Sequence, residues 1–269
     1  MLSSAGDAGG TVIKVVSVRQ RNRELGLPTI NSAVLWLDHE TGQPEALIDG
    51  TALTALRTGA ASGLASKVLA APNAQTLAMI GTGGQALDQV RAVCTVRDIA
   101  SVRVAARSYE SACRLSKLLT LDSAEIVPAA SVAEAVDGAD IICCATTSER
   151  PLFSISEVAR RVHINAIGSY RPTMCELGPE LLHAATMVAV DQRAAALEEA
   201  GDVIQALAVD AIQESDLIEI GRLLSPEPEN RADGITVFKS VGLSVQDWAV
   251  ARLAVDRANH DGAVEHLFL

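Results

Sequence analysis

Apolar and polar positions follow two different rhythms along the chain. In the first fifty residues, short β-branched and apolar runs are separated by turn residues, which is typical of strands. Three strands are predicted, at 11–18, 32–37 and 45–48. Apolar residues then recur at three- and four-residue steps from Leu53 to Val68, which predicts a helix over 51–70 that ends before Pro72. The chain is therefore predicted to open with a small strand-rich unit and one long helix.

From residue 75 onward, short apolar runs alternate with helical segments. Strands are predicted at 76–80, 101–106, 125–127, 140–145, 163–167 and 187–190. Helices are predicted after the first of these strands, to about residue 96, and at 109–119 and 132–136. Strands that are apolar on both faces and alternate with helices are typical of a parallel sheet covered on both sides. The pattern predicts an α/β fold with a doubly wound, nucleotide-binding parallel sheet.

The C-terminal part of the chain is expected to rejoin the opening unit. A polar, proline-rich stretch at 225–234 predicts a loop, and a strand at 234–238 and a helix at 244–259 follow it. We therefore expect two domains, a discontinuous one of residues 1–71 with 235–269 and a nucleotide-binding one of residues 72–234.

Composition and charge narrow the classes of partner. The 33 acidic and 22 basic residues give a formal net charge of −11, and only 3% of the residues are aromatic, so no nucleic-acid partner is expected. No apolar run approaches the roughly 18 residues of a membrane helix, and the first residues lack the pattern of a secretory signal. The five cysteines form no C-x-x-C pair, which favours core thiols in the cytoplasm. The histidines lack zinc-ligand spacing, so no metal is expected.

A glycine-rich turn follows the predicted strand at 76–80 and opens the next predicted helix. It fits the pattern G-x-G-x-x-A, which binds a dinucleotide pyrophosphate in this context, although an ordinary glycine-rich turn has the same letters. Gly81 permits the tight turn, Gly83 lets the backbone approach the pyrophosphate, and Ala86 permits close packing of helix on strand. The candidate cofactor-binding residues of this turn are Gly81, Thr82, Gly83, Gly84, Gln85 and Ala86.

The end of the strand at 101–106 separates NAD from NADP. NAD sites usually carry an acid there for the ribose 2′-hydroxyl, whereas here the first acid, Glu110, is already inside the next predicted helix. Arg107 can pair with a 2′-phosphate and Ser108 can add a hydrogen bond. We predict a preference for NADP(H), with NAD(H) as the alternative if Arg107 is only a solvated surface residue.

Further cofactor contacts are expected in the loops that follow later strands of the sheet, because ligands of such sheets bind at the carboxyl ends of the strands. Thr146 and Thr147 follow one predicted strand, and Gly168 and Ser169 follow the next. For either threonine alone, a hydrogen-bonded loop without a ligand is an equal alternative.

Two cations stand in unusual places in the strand-rich unit. Lys14 lies within an apolar strand, where an unpaired ammonium group would be costly. Arg57 lies among small residues of the long helix, which leave room for an approaching group. Each cation is expected to have a partner, and from the residues alone both a protein carboxylate and a ligand remain open.

Several stretches of the chain, in order, resemble the ornithine cyclodeaminase/mu-crystallin family. They lie at 49–62, 80–86, 164–177, 190–202 and 236–243. The resemblance runs from about Thr11 to Ala258. It implies a Rossmann domain beside a smaller, discontinuous α+β domain for substrate binding and dimerisation. It also implies a homodimer that uses NAD(P) to oxidise amino acids or to reduce imines.

The resemblance also implies roles for individual residues. Lys14 and Arg57 correspond to ligands of the substrate carboxylate, and Lys14 could also meet the imine nitrogen or a water molecule. Ser240 corresponds to a position near the nicotinamide. Tyr170 stands where cyclodeaminases carry an acidic residue, and the sequence of residues 168–172 is more similar to that of the ketimine reductases.

We therefore expect an NADPH-dependent reductase that converts Δ1-pyrroline-2-carboxylate or Δ1-piperideine-2-carboxylate to L-proline or L-pipecolate. Two alternatives stay open. One is amino-acid oxidation of the ornithine cyclodeaminase or alanine dehydrogenase type, and the other is a non-catalytic, mu-crystallin-like protein that binds NADPH. Members of the family carry a longer segment before the equivalent of Thr11, including an arginine that binds the substrate carboxylate, so this part of the site is expected to be missing here.

Overall fold

The computed structural model describes residues 2–4, 9–27, 30–121, 123–224 and 233–262. The strands are β1 (Leu2–Ser4), β2 (Thr11–Val18), β3 (Ile30–Leu37), β4 (Pro44–Asp49), β5 (Thr76–Ile80), β6 (Ser101–Ala105), β7 (Glu125–Pro128), β8 (Ile141–Cys144), β9 (Val162–Ala166), β10 (Met187–Val190), β11 (Leu217–Glu219) and β12 (Ile235–Lys239). The α-helices are α1 (Gly50–Leu69), α2 (Ala86–Val96), α3 (Tyr109–Leu118), α4 (Val132–Val136), α5 (Pro179–Ala184), α6 (Arg193–Glu199), α7 (Gly201–Ala208) and α8 (Ser244–Asp261). Short 3₁₀ helices lie at Gln20–Leu25, Ile155–Glu157, Glu214–Asp216 and Ile220–Leu224.

The described residues form two compact units. Those up to Arg57 and those from Gly242 onward make the first unit, and Thr58–Val241 makes the second. These divisions differ from the expected ones at 71/72 and 234/235. The reason at the second division is β12, which is buried along its whole length and pairs on both sides within the sheet of the second unit. Of the predicted loop at 225–234, residues 225–232 lie outside the described residues.

The first unit contains a four-stranded antiparallel sheet in the order β1-β2-β3-β4. Its inner face packs with α8 around an apolar core. The buried residues of this core are Val12, Val34, Trp36, Leu53, Ala251 and Val255. Because side chains alternate along a strand, Lys14 lies on the same face of β2 as Val12. The charged side chain of Lys14 therefore lies on the inner, apolar face of this sheet.

The opposite face of this sheet is also apolar. The register places Ile13 opposite Leu35 and Leu35 opposite Leu47, which makes one row across three strands. Val15 is 66% exposed and Leu47 is 60% exposed. We call Ile13, Val15, Leu35 and Leu47 the outer apolar row.

Both tryptophans of the chain lie in the first unit. The rings of Trp36 and Trp248 have their centroids 6.2 Å apart with an interplanar angle of 34°. The indole N–H of Trp248 donates to the carbonyl oxygens of Gly9 and Gly10, at 3.1 Å each. This pair ties the segment before β2 to α8.

The second unit contains an eight-stranded parallel sheet in the order β11-β10-β12-β9-β8-β5-β6-β7. The chain runs outward from β5 through β6 and β7, then returns to the other side of β5 to form β8. The strand order therefore reverses between β5 and β8, and in doubly wound sheets ligands bind at the carboxyl ends of the strands beside this reversal. The predicted α/β fold with a doubly wound parallel sheet is confirmed.

The helices α5, α6 and α7 have no counterpart in the sequence predictions. Each has only six to eight residues, which is too short for a helical apolar period to be recognised with certainty. The backbone of Ala200 is extended between α6 and α7, so the two helices do not merge.

The centre of the parallel sheet contains a buried polar chain. The imidazole of His163 on β9 is 2.9 Å from the Thr236 hydroxyl and 3.1 Å from Oδ1 of Asn165. The side-chain amide of Asn165 donates to the Ser66 hydroxyl at 2.9 Å and to Sγ of Cys143 at 3.5 Å. Burial lowers the pKa of His163 from 6.5 to about 4, so the folded protein holds this ring neutral at neutral pH.

The neutral His163 is expected to make the fold sensitive to acid. Its contribution to stability is fully present above the unfolded pKa of 6.5 and is lost as the pH falls towards the folded pKa of about 4. This shift corresponds to about 3 kcal/mol of unfolding free energy. The measurement is urea unfolding at pH 7 and pH 4. The decrease in the free energy of unfolding from pH 7 to pH 4 should be about 3 kcal/mol smaller in His163→Asn than in the wild type.

The exposed His260 on α8 offers a matched control, since His260→Asn removes a histidine that is not buried. His260→Asn should lose as much stability as the wild type between the two pH values. An equal loss in His163→Asn and the wild type would contradict the expectation.

Candidate active site

The glycine-rich turn lies where the strand order of the parallel sheet reverses. Gly81 directly follows β5 and has a φ of +107°, which favours glycine. Its N–H donates to the carbonyl oxygen of Ala105 at 2.9 Å, and a Cβ at this position would overlap the carbonyl oxygen of Ala145. Gly81 is therefore held against the ends of both neighbouring strands, β6 and β8.

The rest of the turn leaves the backbone open. A Cβ added at Gly83 or Gly84 would meet no protein atom within 4 Å. Gln85 precedes α2 without a side-chain hydrogen bond to the helix end, and its buried Oε1 has no hydrogen-bond partner among the described residues. Ala86 is fully buried at the start of α2, and Thr82 is half-buried. An open backbone before a helix N-terminus fits the pyrophosphate of a dinucleotide.

None of the described residues from the end of β6 to the start of α3 carries a carboxylate; these residues include Arg107. Arg107 is exposed, and its guanidinium makes no hydrogen bond or ion pair with any described residue. Ser108 is the N-cap of α3, and its hydroxyl accepts from the Ser111 N–H at 3.3 Å. Glu110 lies inside α3 and pairs with Arg114 at 2.6 Å. Of the two residues predicted to hold a 2′-phosphate, Arg107 is thus available, whereas Ser108 already caps a helix.

The loops after β8 and β9 are joined by a carboxylate that the sequence predictions did not assign. Oε1 of Glu176 accepts the N–H of Thr146 at 2.7 Å and its hydroxyl at 2.9 Å, and Oε2 accepts the N–H of Gly168 at 2.7 Å. Glu176 is fully buried. Burial raises the pKa of Glu176, and the charge of Lys239 opposes this effect. Thr147 is exposed beside this network.

A second buried carboxylate supports the first. Oδ1 of Asp202 accepts the N–H groups of Glu176 at 2.6 Å and Leu177 at 3.0 Å. Oδ2 of Asp202 accepts the Ser169 hydroxyl at 2.7 Å and lies 3.2 Å from Nζ of Lys239. The side chains of Asp202 and Lys239 are almost wholly buried. The candidate residues Thr146, Gly168 and Ser169 are therefore brought together by this network.

Ser240 follows β12 at the same edge of the sheet. Its hydroxyl donates to Oδ2 of Asp191 at 2.9 Å, and the N–H of Val241 donates to the same oxygen at 3.0 Å. Ser240 is 2% exposed. Asp191, which follows β10, thus fixes the backbone at the position that was expected near the nicotinamide.

Lys14 and Arg57 meet at a carboxylate in the first unit. Nζ of Lys14 and Nε of Arg57 lie 3.0 Å and 3.2 Å from Oδ1 of Asp247 on α8. A guanidinium N–H of Arg57 also donates to Oε1 of Gln246 at 3.0 Å. The side chains of Lys14, Arg57 and Asp247 are 4%, 10% and 1% exposed. We call these three residues the cation cluster.

The cation cluster carries more positive than negative charge. One carboxylate faces two cations, so the formal charge of the three side chains is one positive. Burial lowers the pKa of Lys14, the hydrogen bond and charge of Asp247 raise it, and the charge of Arg57 lowers it further. A carboxylate ligand beside Lys14 would favour the protonated lysine.

Asp247 is a residue that the sequence predictions missed. It lies four residues before Ala251 and eight before Val255, so it shares their buried face of α8. A carboxylate in the buried row of an amphipathic helix is the signal that could have identified it. Its partners are 233 and 190 residues away along the chain, so no spacing rule could name them.

No cluster of at least three His, Cys, Asp or Glu residues that could hold a metal ion is found in the described part of the chain. The described helices also include none that is long and apolar enough to cross a membrane. Neither finding adds a residue to the site.

The doubly wound sheet, its glycine-rich turn and the relatives described next place the chain among the NAD(P)-dependent oxidoreductases that act on carbon–nitrogen bonds. A sequence model of the ornithine cyclodeaminase/mu-crystallin family matches residues 1–262. The chain belongs to this family, as the order of its motifs predicted.

Two curated relatives are similar over most of the chain. The Delta(1)-pyrroline-2-carboxylate reductase of Bacillus cereus is 41% identical over 261 residues, which cover 95% of this chain and 79% of the relative. The ketimine reductase mu-crystallin of Mus musculus is 33% identical over 255 residues, which cover 94% of this chain and 77% of the relative.

Two solved structures have a similar fold. The Delta(1)-pyrroline-2-carboxylate reductase of Thermococcus litoralis, in complex with NADH and L-proline, has a TM-score of 0.86 at 32% identity and covers 99% of this chain and 88% of its own. An archaeal alanine dehydrogenase dimer with bound NAD has a TM-score of 0.87 at 30% identity and covers 100% of this chain and 87% of its own.

Proposed function

We propose that the chain is an NADPH-dependent reductase of small cyclic imino acids. Its substrates would be Δ1-pyrroline-2-carboxylate and Δ1-piperideine-2-carboxylate, and its products L-proline and L-pipecolate. The observation that carries the proposal is the cation cluster, because it gathers two buried cations at one carboxylate oxygen, an arrangement that suits an anionic substrate group. The reductases of Bacillus cereus and Thermococcus litoralis support this substrate class by similarity.

In the proposed mechanism, the reduced nicotinamide, when bound, supplies the hydride that reaches C2 of the imine. Lys14 and Arg57 bind the substrate carboxylate and orient C2, which is a positioning effect. Asp247 holds both cations on one oxygen and so fixes their separation. The imine nitrogen gains one proton as C2 gains the hydride, and the proton comes from the Lys14 ammonium group or from a water molecule. The lowered pKa of Lys14 favours its release of a proton.

The cofactor would be held by the second unit. The open backbone of Gly83 and Gly84 and the start of α2 suit the pyrophosphate. Arg107, exposed and without a protein partner among the described residues, suits a 2′-phosphate. The solved relatives contain NADH or NAD, so the preference for NADPH rests on Arg107 and on the strand end that lacks an acid.

Imine reduction is tested by following NADPH oxidation with both cyclic imines. We expect turnover by the wild type and at least about a tenfold rise in the KM for the imine in Arg57→Gln, because a charge-assisted hydrogen bond contributes about 1.5–3 kcal/mol. The KM for NADPH should stay within about twofold, since Arg57 is assigned to the substrate alone. Thermal unfolding of each variant checks that it is folded.

Arg257→Gln is the matched control, because it removes an exposed arginine from α8 of the same unit. Its kinetics should equal those of the wild type. Binding of NADPH without turnover of either imine would contradict the proposal and favour the non-catalytic, mu-crystallin-like alternative.

Oxidation of an amino acid is the second candidate, favoured by the similarity to the archaeal alanine dehydrogenase. Tyr170 is half-buried, and its ring lies 5.4 Å from the guanidinium carbon of Arg171. A tyrosine here, where cyclodeaminases carry an acid, speaks against ornithine cyclodeamination. NADPH formation from alanine that exceeds the rate of imine reduction would favour oxidation.

The cofactor preference is tested by titrating NADPH and NADH into the wild type and Arg107→Ala. Loss of one charge-assisted contact should weaken NADPH binding by about tenfold or more and leave NADH binding within about twofold. Arg160→Ala, which removes another exposed arginine of the second unit, should change neither affinity. Equal affinities of the wild type for the two cofactors would contradict the preference.

We further propose a homodimer that buries the outer apolar row of the four-stranded sheet. Exposed apolar faces of this kind mark protein interfaces, and the archaeal alanine dehydrogenase is a dimer. Leu47→Glu should reduce the sedimenting mass from two chains to one. Leu253→Glu on α8, where the leucine is 56% exposed, should leave the mass of two chains unchanged. A wild type that sediments as one chain would contradict the dimer.

We also place the protein in the cytoplasm. The five cysteines all lie within the described residues and are free thiols, which suits a reducing compartment. Fractionation of cells that express the tagged chain tests this location, and recovery with secreted protein would contradict it.

A further inference from the structure

We propose that Glu176 is a positioning residue for the nicotinamide half of the cofactor. Its buried carboxylate joins the loops after β8 and β9 and so fixes the distance between them. The inference rests on the proposed cofactor site and adds a residue to it.

The hydrogen bonds of Glu176 connect one loop to the other through both carboxylate oxygens. Oε1 accepts two hydrogen bonds from Thr146, at 2.7 Å and 2.9 Å, and Oε2 accepts one from Gly168 at 2.7 Å. Two of the three donors are backbone N–H groups, which can only donate, so the arrangement requires an acceptor at both oxygens. The ionised carboxylate meets this requirement.

The two loops approach each other to van der Waals contact around this carboxylate. A Cβ at Gly168 would overlap the backbone N and O of Thr146 and Oε1 of Glu176. The separation of the loops is therefore set by Glu176 on one side and by direct backbone contact on the other. A shorter or differently charged side chain at position 176 would change this separation.

Asp202 and Lys239 hold Glu176 in place. Asp202 accepts the N–H of Glu176 itself at 2.6 Å, and Lys239 lies 3.2 Å from the other oxygen of Asp202. Burial and the charge of Asp202 raise the pKa of Glu176, whereas the charge of Lys239 and the hydrogen bonds from Thr146 lower it. Three ionisable groups in an otherwise apolar interior do not improve stability over an apolar core of the same volume, which points to a role in placing the loops.

The position in the sheet assigns these loops to the nicotinamide. Gly81 and the pyrophosphate-binding turn follow β5, and the adenosine half of a dinucleotide lies towards β6 in this topology. The other mononucleotide lies beyond the reversal of strand order, where the loops after β8 and β9 end. Glu176 therefore acts on the half of the cofactor that carries the hydride.

The test compares a cofactor with a fragment that lacks nicotinamide. Calorimetric titrations of wild type and Glu176→Gln use NADPH and ADP-ribose 2′-phosphate, and are repeated with NADH and ADP-ribose. In Glu176→Gln, one oxygen is replaced by an NH2 group that faces a donor, so one loop loses its bond. We expect NADPH to bind at least about tenfold more weakly and the fragment to bind within about twofold of the wild type.

Glu198→Gln is the matched control, because it removes an exposed carboxylate from α6, and it should bind all four ligands as the wild type does. Thr146→Val removes one of the three hydrogen bonds and should weaken NADPH binding by a smaller factor, which keeps the test decisive if Glu176→Gln does not fold. Equal weakening of cofactor and fragment, or no weakening of either, would overturn the inference. A wild type that binds neither NADPH nor NADH would instead refute the cofactor site itself.

Discussion

A charged side chain in an apolar interior needs an opposite charge beside it, and the candidate residues of each unit are organised by that constraint. In the first unit, Lys14 is drawn into the inner face of the sheet and meets Asp247. In the second, Lys239 ends a fully buried strand and meets Asp202. Breaking such a pair by removing one partner costs about 3–5 kcal/mol. The elements that carry the partners are therefore held in place by these ion pairs.

The two ion pairs differ in the third charged group that lies beside them. Around Asp247 there is a second cation, Arg57, so two cations converge on one carboxylate oxygen. Around Asp202 there is a second carboxylate, Glu176, whose oxygens are occupied by donors of the protein. The first arrangement is suited to binding, and the second to holding backbone. Both use the same physical means, a buried charge whose neighbours restrict its position.

Much of the fold could be predicted because it depends on local patterns. The strands of the parallel sheet are continuous apolar runs, and the glycine-rich turn stands between a strand and a helix, so the doubly wound sheet was recognisable. The position of β12 could not be predicted. The apolar pattern of residues 235–239 indicates a buried strand but does not indicate which sheet the strand joins. Lys14 and Arg57 could be predicted because they are charges in an apolar strand and among small helical residues. Their partner Asp247 and the carboxylate Glu176 depend on contacts between distant segments, which a single sequence does not contain.

Because aromatic residues are scarce, the ultraviolet absorption of the chain comes from few side chains. Trp36 and Trp248 are the two tryptophans of the chain, and they lie together in the first unit, 6.2 Å apart. Tyr109 and Tyr170, the two tyrosines, both belong to the second unit. Light at the long-wavelength edge of the protein absorption band is therefore absorbed by the tryptophans of the first unit, which holds the cation cluster. It is not absorbed by the second unit, which holds the parallel sheet. The two tryptophans are thus an intrinsic chromophore of the unit that contains Lys14.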